Sequence, residues 1–240
     1  MIRWKQIALC VCAVLLPKQC AFCGTLILPW RESCEACERQ MSYIKPPLCP
    51  YCGQQKSHCN CGKRRSIFDK VAAPFYYETA VRSGILRLKR YDDPDAIALF
   101  AEQMHTVVRR EYGDELIDAL TYVPMTRQAE RRREYNQGRL LAEALGKRLA
   151  LPVYAALTKL YETPSQKELD FHARSGNVLG VFDVVDPAIR GKTLLLVDDV
   201  MTTGATLSEC AKMLKIHGAK RVLAVTVAVH RRKTKTDEIV

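Results

Sequence analysis

Nowhere do these 240 residues hold an apolar run of the roughly 20 that a membrane-spanning helix needs. The longest run, Ile7 to Leu16, counts ten. Internal repeats and low-complexity tracts are missing, which excludes a fibrous or disordered chain. The 48% of hydrophobic residues beside 26% charged is enough apolar material for a core. A Gly-Lys-Ser/Thr segment is missing too, so there is no Walker phosphate loop, and no glycine-rich dinucleotide fingerprint stands in its place. Acidic residues are scarce: 26 Asp+Glu against 37 Lys+Arg leave a net charge of +11. Such a surplus suits a polyanion such as phosphate, nucleic acid or a membrane surface. Cysteine is almost missing beyond residue 61, where Cys210 stands alone of eleven, and that asymmetry marks two differently built regions.

The apolar run lies behind Arg3 and Lys5 in the manner of a secretory signal, yet the small-x-small cleavage sites near it would cut into the first cysteine pair. Residues 1–17 are therefore expected to form a short apolar helix ended by Pro17, with Cys10 and Cys12 as small buried hydrophobes. This reading places the protein in the cytoplasm and leaves contact with the membrane periphery open.

Residues 18–66 carry Cys20-Ala-Phe-Cys23 with Cys34-Glu-Ala-Cys37, then Cys49-Pro-Tyr-Cys52 with Cys59-Asn-Cys61. Two residues between cysteines let both sulfurs reach one metal, and four thiolates complete the tetrahedron that zinc prefers. Gly24, Gly53 and Gly62 supply the tight turns that follow such knuckles. Two structural zinc sites are expected, with His58 an alternative ligand beside the shorter last pair. Disulfides are the competing reading of an even cysteine count, but CxxC pairs without an export signal favour metal. A region this short has little core of its own, so metal is expected to contribute much of its folding free energy. Lys63-Arg64-Arg65 at its exit reads as a basic grip or a solvated loop.

From residue 68 to 240 strands alternate with helices. Asp93-Pro94 caps a helix with Ile97, Phe100, Ala101, Met104 and Val108 on one face. Ala119 to Val123 reads as a buried strand, and Asn136 caps a helix carrying Leu141, Ala144, Leu145 and Leu149. Thr193 to Val197 has the continuous apolar pattern of a central parallel strand; Leu207, Cys210, Ala211 and Leu214 mark a helix stopped at Gly218; Val222 to Val229 is another strand. The order predicts a doubly wound, mostly parallel α/β sheet.

Directly after the strand at 193–197 come Asp198-Asp199-Val200-Met201-Thr202-Thr203-Gly204-Ala205-Thr206. Ligands of open α/β sheets bind at the carboxyl ends of strands. Three hydroxyls and several backbone N–H groups around a glycine at a helix start make a phosphate cradle. Beside it, adjacent carboxylates can accept from sugar hydroxyls, so the segment fits a sugar phosphate.

This segment strongly resembles the phosphoribosyl pyrophosphate (PRPP) motif of type I phosphoribosyltransferases. Leu88-Lys89-Arg90-Tyr91, Val123-Pro124, Arg133 to Gln137, Ser165-Gln166, and Arg174 with Asn177 extend the likeness. With the ribbon cysteines they resemble the ComF family (ComFC/GntX-like), competence-associated proteins in which a double zinc ribbon precedes a type I phosphoribosyltransferase fold. Glu134 and Tyr135 depart from it, since the family usually has glycine and phenylalanine there. The resemblance implies that Val123 to Arg127 form a pyrophosphate loop and residues 164–174 a loop closing over substrate. Arg127, Lys167 and Arg174 are then candidate pyrophosphate partners, as guanidinium and ammonium groups suit phosphate oxygens. Arg131-Arg132-Arg133 could serve pyrophosphate or single-stranded DNA or lie in solvent, and His172 has no partner visible in sequence.

The resemblance further implies Mg²⁺ bound with PRPP, Asp198 and Asp199 as the catalytic pair holding the ribose, and Val200 to Thr206 binding PRPP, with Thr202 to Thr206 anchoring its phosphate. The implied activity is phosphoribosyl transfer to an acceptor that the sequence does not reveal. The implied setting is natural transformation: handling of incoming single-stranded DNA, with DNA-uptake machinery at the inner face of the membrane as partner. Nucleobase salvage, and a non-catalytic PRPP-sensing regulator that binds nucleic acid, are the alternatives. A glutamine-dependent amidophosphoribosyltransferase is disfavoured because no cysteine follows Met1.

Overall fold

The computed structural model describes residues 18–62, 66–91, 93–133, 135–161 and 180–231, without the side chains at 127, 132 and 133. The expected helix at 1–17 lies outside these residues, as do Lys63 to Arg65, Glu134, Ser165, Gln166, Lys167, His172, Arg174, Asn177 and the basic residues after 231.

The ribbon opens with β1 (Lys18–Gln19) paired antiparallel to β2 (Leu26–Ile27), followed by a short helix α1 (Glu35–Arg39). The α/β body starts at β3 (Lys70–Ala72) and β4 (Phe75–Tyr76), two parts of one edge strand separated at Ala73-Pro74. Then come α2 (Thr79–Leu88), α3 (Pro94–Tyr112), β5 (Ala119–Tyr122), α4 (Arg127–Arg133), α5 (Gln137–Leu149) and β6 (Val153–Tyr154). An antiparallel pair, β7 (Leu157–Lys159) and β8 (Phe182–Val184), precedes β9 (Thr193–Met201), α6 (Ala205–Ile216) and β10 (Arg221–Val229).

All pairings of the main sheet are parallel, in the order β3-β10-β9-β5-β6 with β4 also on β10. The two middle strands are apolar on both faces, because helices or further chain cover both: Leu194 to Val197 and Val222 to Val225 are fully buried. Asp93 caps α3 by accepting from the Ala96 N–H at 3.1 Å, with Pro94 at the first helical position. Asn136 caps α5 by accepting from the Arg139 N–H at 3.2 Å. Gly218, at φ +98°, ends α6 in a conformation that costs other residues more. β9 runs four residues past the apolar stretch that marks it in sequence, because β10 is long enough to pair Ala228 with Val200 and Val229 with Met201.

The ribbon is fastened into the body's core. Cys20, Ala21, Phe22, Cys37, Ile44 and Leu48 belong to the same buried cluster as the sheet. Phe22 meets Phe100 of α3 edge to face at 5.7 Å between ring centres. The contact is possible because α2 has Gly84 there: a Cβ at 84 would lie 2.9 Å from Phe22 Cδ1 and 3.0 Å from Phe100 Cζ. Backbone bonds add to it, from Ile44 N–H to Pro74 O (2.9 Å), Tyr76 N–H to Ser42 O (2.8 Å) and Val71 N–H to Pro50 O (2.9 Å).

Candidate functional site

Asp198 and Asp199 stand near the end of β9, where the central strand reaches the carboxyl edge of the sheet. The Asp199 N–H donates to Asp198 Oδ1 at 2.8 Å and the Val200 N–H to Asp199 Oδ1 at 2.7 Å. Burial, and after it the Asp199 carboxylate, push the Asp198 carboxyl well above the usual carboxylate range.

Lys89, the residue that caps the C-terminus of α2, places its Nζ 2.6 Å from Asp199 Oδ2. Burial works against the ammonium charge of Lys89, but Asp199 outweighs it and the pKa of Lys89 rises. Lys89 was legible only as part of the Leu88 to Tyr91 resemblance; nothing local links it to a carboxylate so far along the chain.

Beyond Met201 the chain turns through Thr202 and Thr203 to Gly204, whose φ of +83° starts α6. Thr203 Oγ1 accepts from the Ala205 N–H at 3.3 Å, and the Met201 carbonyl accepts from the His230 N–H at 2.9 Å. Asp198 to Thr206 thus combine two acids at a strand end, hydroxyls in the turn and the N-terminus of a 12-residue helix in one continuous segment.

The loop after β5 lies alongside. The Val123 N–H donates to Val197 O at 3.0 Å, Asn136 Nδ2 to Val123 O at 3.4 Å, and the Ala129 N–H to Thr126 Oγ1 at 3.1 Å. Gly138 lets the first turn of α5 close on these strand ends, since a Cβ there would lie 3.2 Å from Val123 O. Arg127 begins α4 directly after this loop. Lys167 and Arg174 fall between Tyr161 and Gly180, which are themselves joined: Tyr161 Oη donates to Gly180 O at 2.8 Å, and the Gly180 N–H donates to Glu209 Oε1 at 2.9 Å.

The cysteines gather into two groups of four, Cys20, Cys23, Cys34, Cys37 and Cys49, Cys52, Cys59, Cys61, with the sulfurs of each within 4.8 Å of one another. Cys23 and Cys34 stand 3.7 Å apart, Cys49 and Cys61 3.7 Å, and Cys52 and Cys59 3.4 Å. A disulfide needs about 2.05 Å, whereas a tetrahedron with zinc–sulfur bonds of about 2.3 Å has edges of about 3.8 Å. The thiol sets therefore fit zinc, and the described cysteines form no disulfide. His58 is in neither group.

An open cleft of about 540 Å³ lies elsewhere, between β1 and the start of α3, lined by Lys18, Gln19, Arg87, Tyr91 and Asp93. A neighbouring cleft adds Phe22 and Arg90, and Arg87 packs over the Tyr91 ring at 5.5 Å. Among the described residues, no helix is long and apolar enough to cross a membrane.

Comparison with known proteins agrees with this architecture. Residues 11–66 match the model of the double zinc ribbon domain, and residues 136–240 that of the phosphoribosyl transferase domain. The chain is 29% identical over 216 residues to Competence protein F of Haemophilus influenzae, covering 85% of this chain and 93% of that one. It is 30% identical over 200 residues to DNA utilization protein YhgH of Escherichia coli K12, covering 79% of this chain and 86% of that one. To Competence protein ComFC of Bacillus subtilis it is 26% identical over 201 residues, covering 79% and 80%. With its double zinc ribbon and phosphoribosyltransferase domain, the chain belongs to the ComF family.

Proposed function

We propose that the loop from Asp198 to Thr206 binds PRPP together with Mg²⁺, and that the protein transfers the phosphoribosyl group in the handling of DNA during natural transformation. The observation that carries the reading is the placement of two adjacent acids and a glycine-turned, hydroxyl-rich helix start on the central strand's carboxyl edge. Thr202, Thr203, Gly204, Ala205 and Thr206 would hold the 5′-phosphate, while Val200 and Met201 carry the chain from strand to loop. Asp198 and Asp199 would accept from the ribose hydroxyls and favour positive charge on the sugar. Arg127, Lys167 and Arg174 are the pyrophosphate partners in this reading. Mg²⁺ supplies neutralisation of the pyrophosphate charge when bound, consistent with its use of few protein carboxylates plus substrate oxygens.

In the reaction an acceptor lone pair bonds to the anomeric carbon as the carbon–oxygen bond to pyrophosphate breaks. The electron pair leaves on pyrophosphate. The chain's contribution is positioning and charge stabilisation. The test is a screen for PRPP turnover against nucleobases, nucleotides and single-stranded DNA, read as pyrophosphate release. Release that requires an acceptor supports the reading, and no release with any of them removes the catalytic part of it.

The relatives named for competence and DNA utilization support the DNA setting, and the clefts beside the ribbon suit a single strand. Arg90 and Lys18 offer positive charge and Tyr91, 56% exposed, a stacking face, while Arg87 is paired with Asp93 at 3.5 Å. Because Phe22 is part of the body's core, deleting the ribbon should expose and destabilise that core, and point variants are the proper probe. Tyr91→Ala with Arg90→Glu should weaken single-strand binding and flatten its salt dependence; binding indifferent to both changes and to salt would refute this grip.

A further inference from the structure

Adjacent carboxylates at one strand end repel each other, and a half-buried pair without a counter-charge is costly. Here the counter-charge is Lys89, brought from α2 to within 2.6 Å of Asp199 Oδ2. The other oxygen of Asp199 is occupied by the Val200 N–H at 2.7 Å, so both ends of the carboxylate are tied and its plane is set. The side chains are mostly enclosed, with Lys89 31% and Asp199 13% exposed, and solvent screens the pair only partly.

The backbone that presents Lys89 is itself fastened. The Lys89 N–H donates to Ile85 O at 3.1 Å, and the carbonyl of the preceding Leu88 accepts from Tyr135 Oη at 3.1 Å. Tyr135 stands in the turn before α5, whose cap Asn136 holds the loop after β5. The acidic pair, α2 and the loop after β5 are thereby joined through Lys89 and Tyr135.

We propose that Lys89 is a positioning residue of the PRPP site: it locks Asp199 in one orientation as a hydrogen-bond acceptor and so distinguishes the roles of the two neighbouring acids. This rests on the reading of the loop as a PRPP site. Lys89 acts through Asp199, not by touching the ligand. Tyr135, whose hydroxyl donates to Leu88 O at 3.1 Å, steadies the turn of helix that carries it.

The experiment is calorimetric titration of PRPP with Mg²⁺ into the full-length, zinc-loaded protein, with thermal melts as a check on folding. Lys89→Met should weaken binding roughly 10- to 100-fold, the range of a charge-assisted hydrogen bond lost from a part-buried site. Lys89→Arg should recover most of that loss, which a merely structural role would not require. In an Asp199→Asn background, Lys89→Met should change affinity by less than about threefold, since a pair acting as a unit is not additive. Should methionine lower the melting temperature markedly, Lys89→Gln takes its place under the same expectations. Unchanged affinity in the Lys89 variants, with binding by the unaltered protein, overturns the proposal alone. A full loss repeated in the Asp199→Asn background also overturns it, by making Lys89 a direct contact. If the unaltered protein does not bind PRPP, the functional reading fails, and this proposal fails with it.

Discussion

Replacing Gly84 by alanine sets two effects of opposite sign against each other. In the interior of α2 the change should gain about 1 kcal/mol from helix propensity. The new Cβ would meet Phe22 Cδ1 at 2.9 Å, Phe100 Cζ at 3.0 Å and Ala21 O at 3.3 Å. Both rings are fully buried and packed on each other, so neither can swing away without disturbing the joint between ribbon and body. Overpacking of this kind costs about 1–3 kcal/mol, and three close contacts put Gly84→Ala toward the upper end, for a net loss of about 1–2 kcal/mol. Phe22→Ala alone should cost about 3–5 kcal/mol through the cavity it leaves. In the double variant the cavity accepts the new methyl group, so the combined cost should fall short of the sum by about 1 kcal/mol. Urea unfolding in zinc-replete buffer measures all three. A Gly84→Ala protein more stable than the parent, or strict additivity in the double variant, would refute the claim that the ribbon presses on α2 at this point.

Metal analysis should find two zinc ions per chain; Cys37→Ser should remove one of them, and a chelator should lower the melting temperature, because site formation and folding are linked. The Arg221 guanidinium and then the Lys70 ammonium hold Glu115 down to about 2. A lowered carboxyl contributes stability above its unfolded value and loses it as pH falls toward the folded one, so the loss should appear between about pH 4.5 and 2. After screening by solvent it should amount to about 1 kcal/mol, and acid titration of Glu115→Gln should show a shallower decline. Asp198 is raised by burial and by Asp199, so ligand binding that needs its charged form should release a proton. PRPP affinity should then rise with pH, and titrations in buffers of different ionisation enthalpy should report that release.

Much of the body is legible in its residues because the signals are local. Asp93-Pro94 with the repeat from Ile97 to Val108 marks α3 without ambiguity, and Asn136 marks the start of α5. The run from Leu194 to Val197 and the Thr-Thr-Gly loop place Asp198 to Thr206 at the carboxyl edge of the sheet, where the structure has them. Cysteine spacing identifies both metal groups, including the short last pair, where four sulfurs gather and His58 stays apart. What sequence could not supply depends on distant pairing. The extension of β9 to Met201 is decided by the length of β10, and the partnership of Lys89 with Asp199 by the approach of α2 to the sheet. Phe22 lies between two metal ligands and reads as part of a knuckle, yet its ring belongs to the core of the body.

Binding of PRPP at the acidic pair is measured by calorimetric titration of PRPP with Mg²⁺ into the unaltered protein and into Asp198→Asn/Asp199→Asn. Saturable binding by the first and its loss in the second, with both proteins melting cooperatively, is the expected result. Equal affinity in the two, or no binding by the unaltered protein, would contradict the assignment of the acidic pair to PRPP.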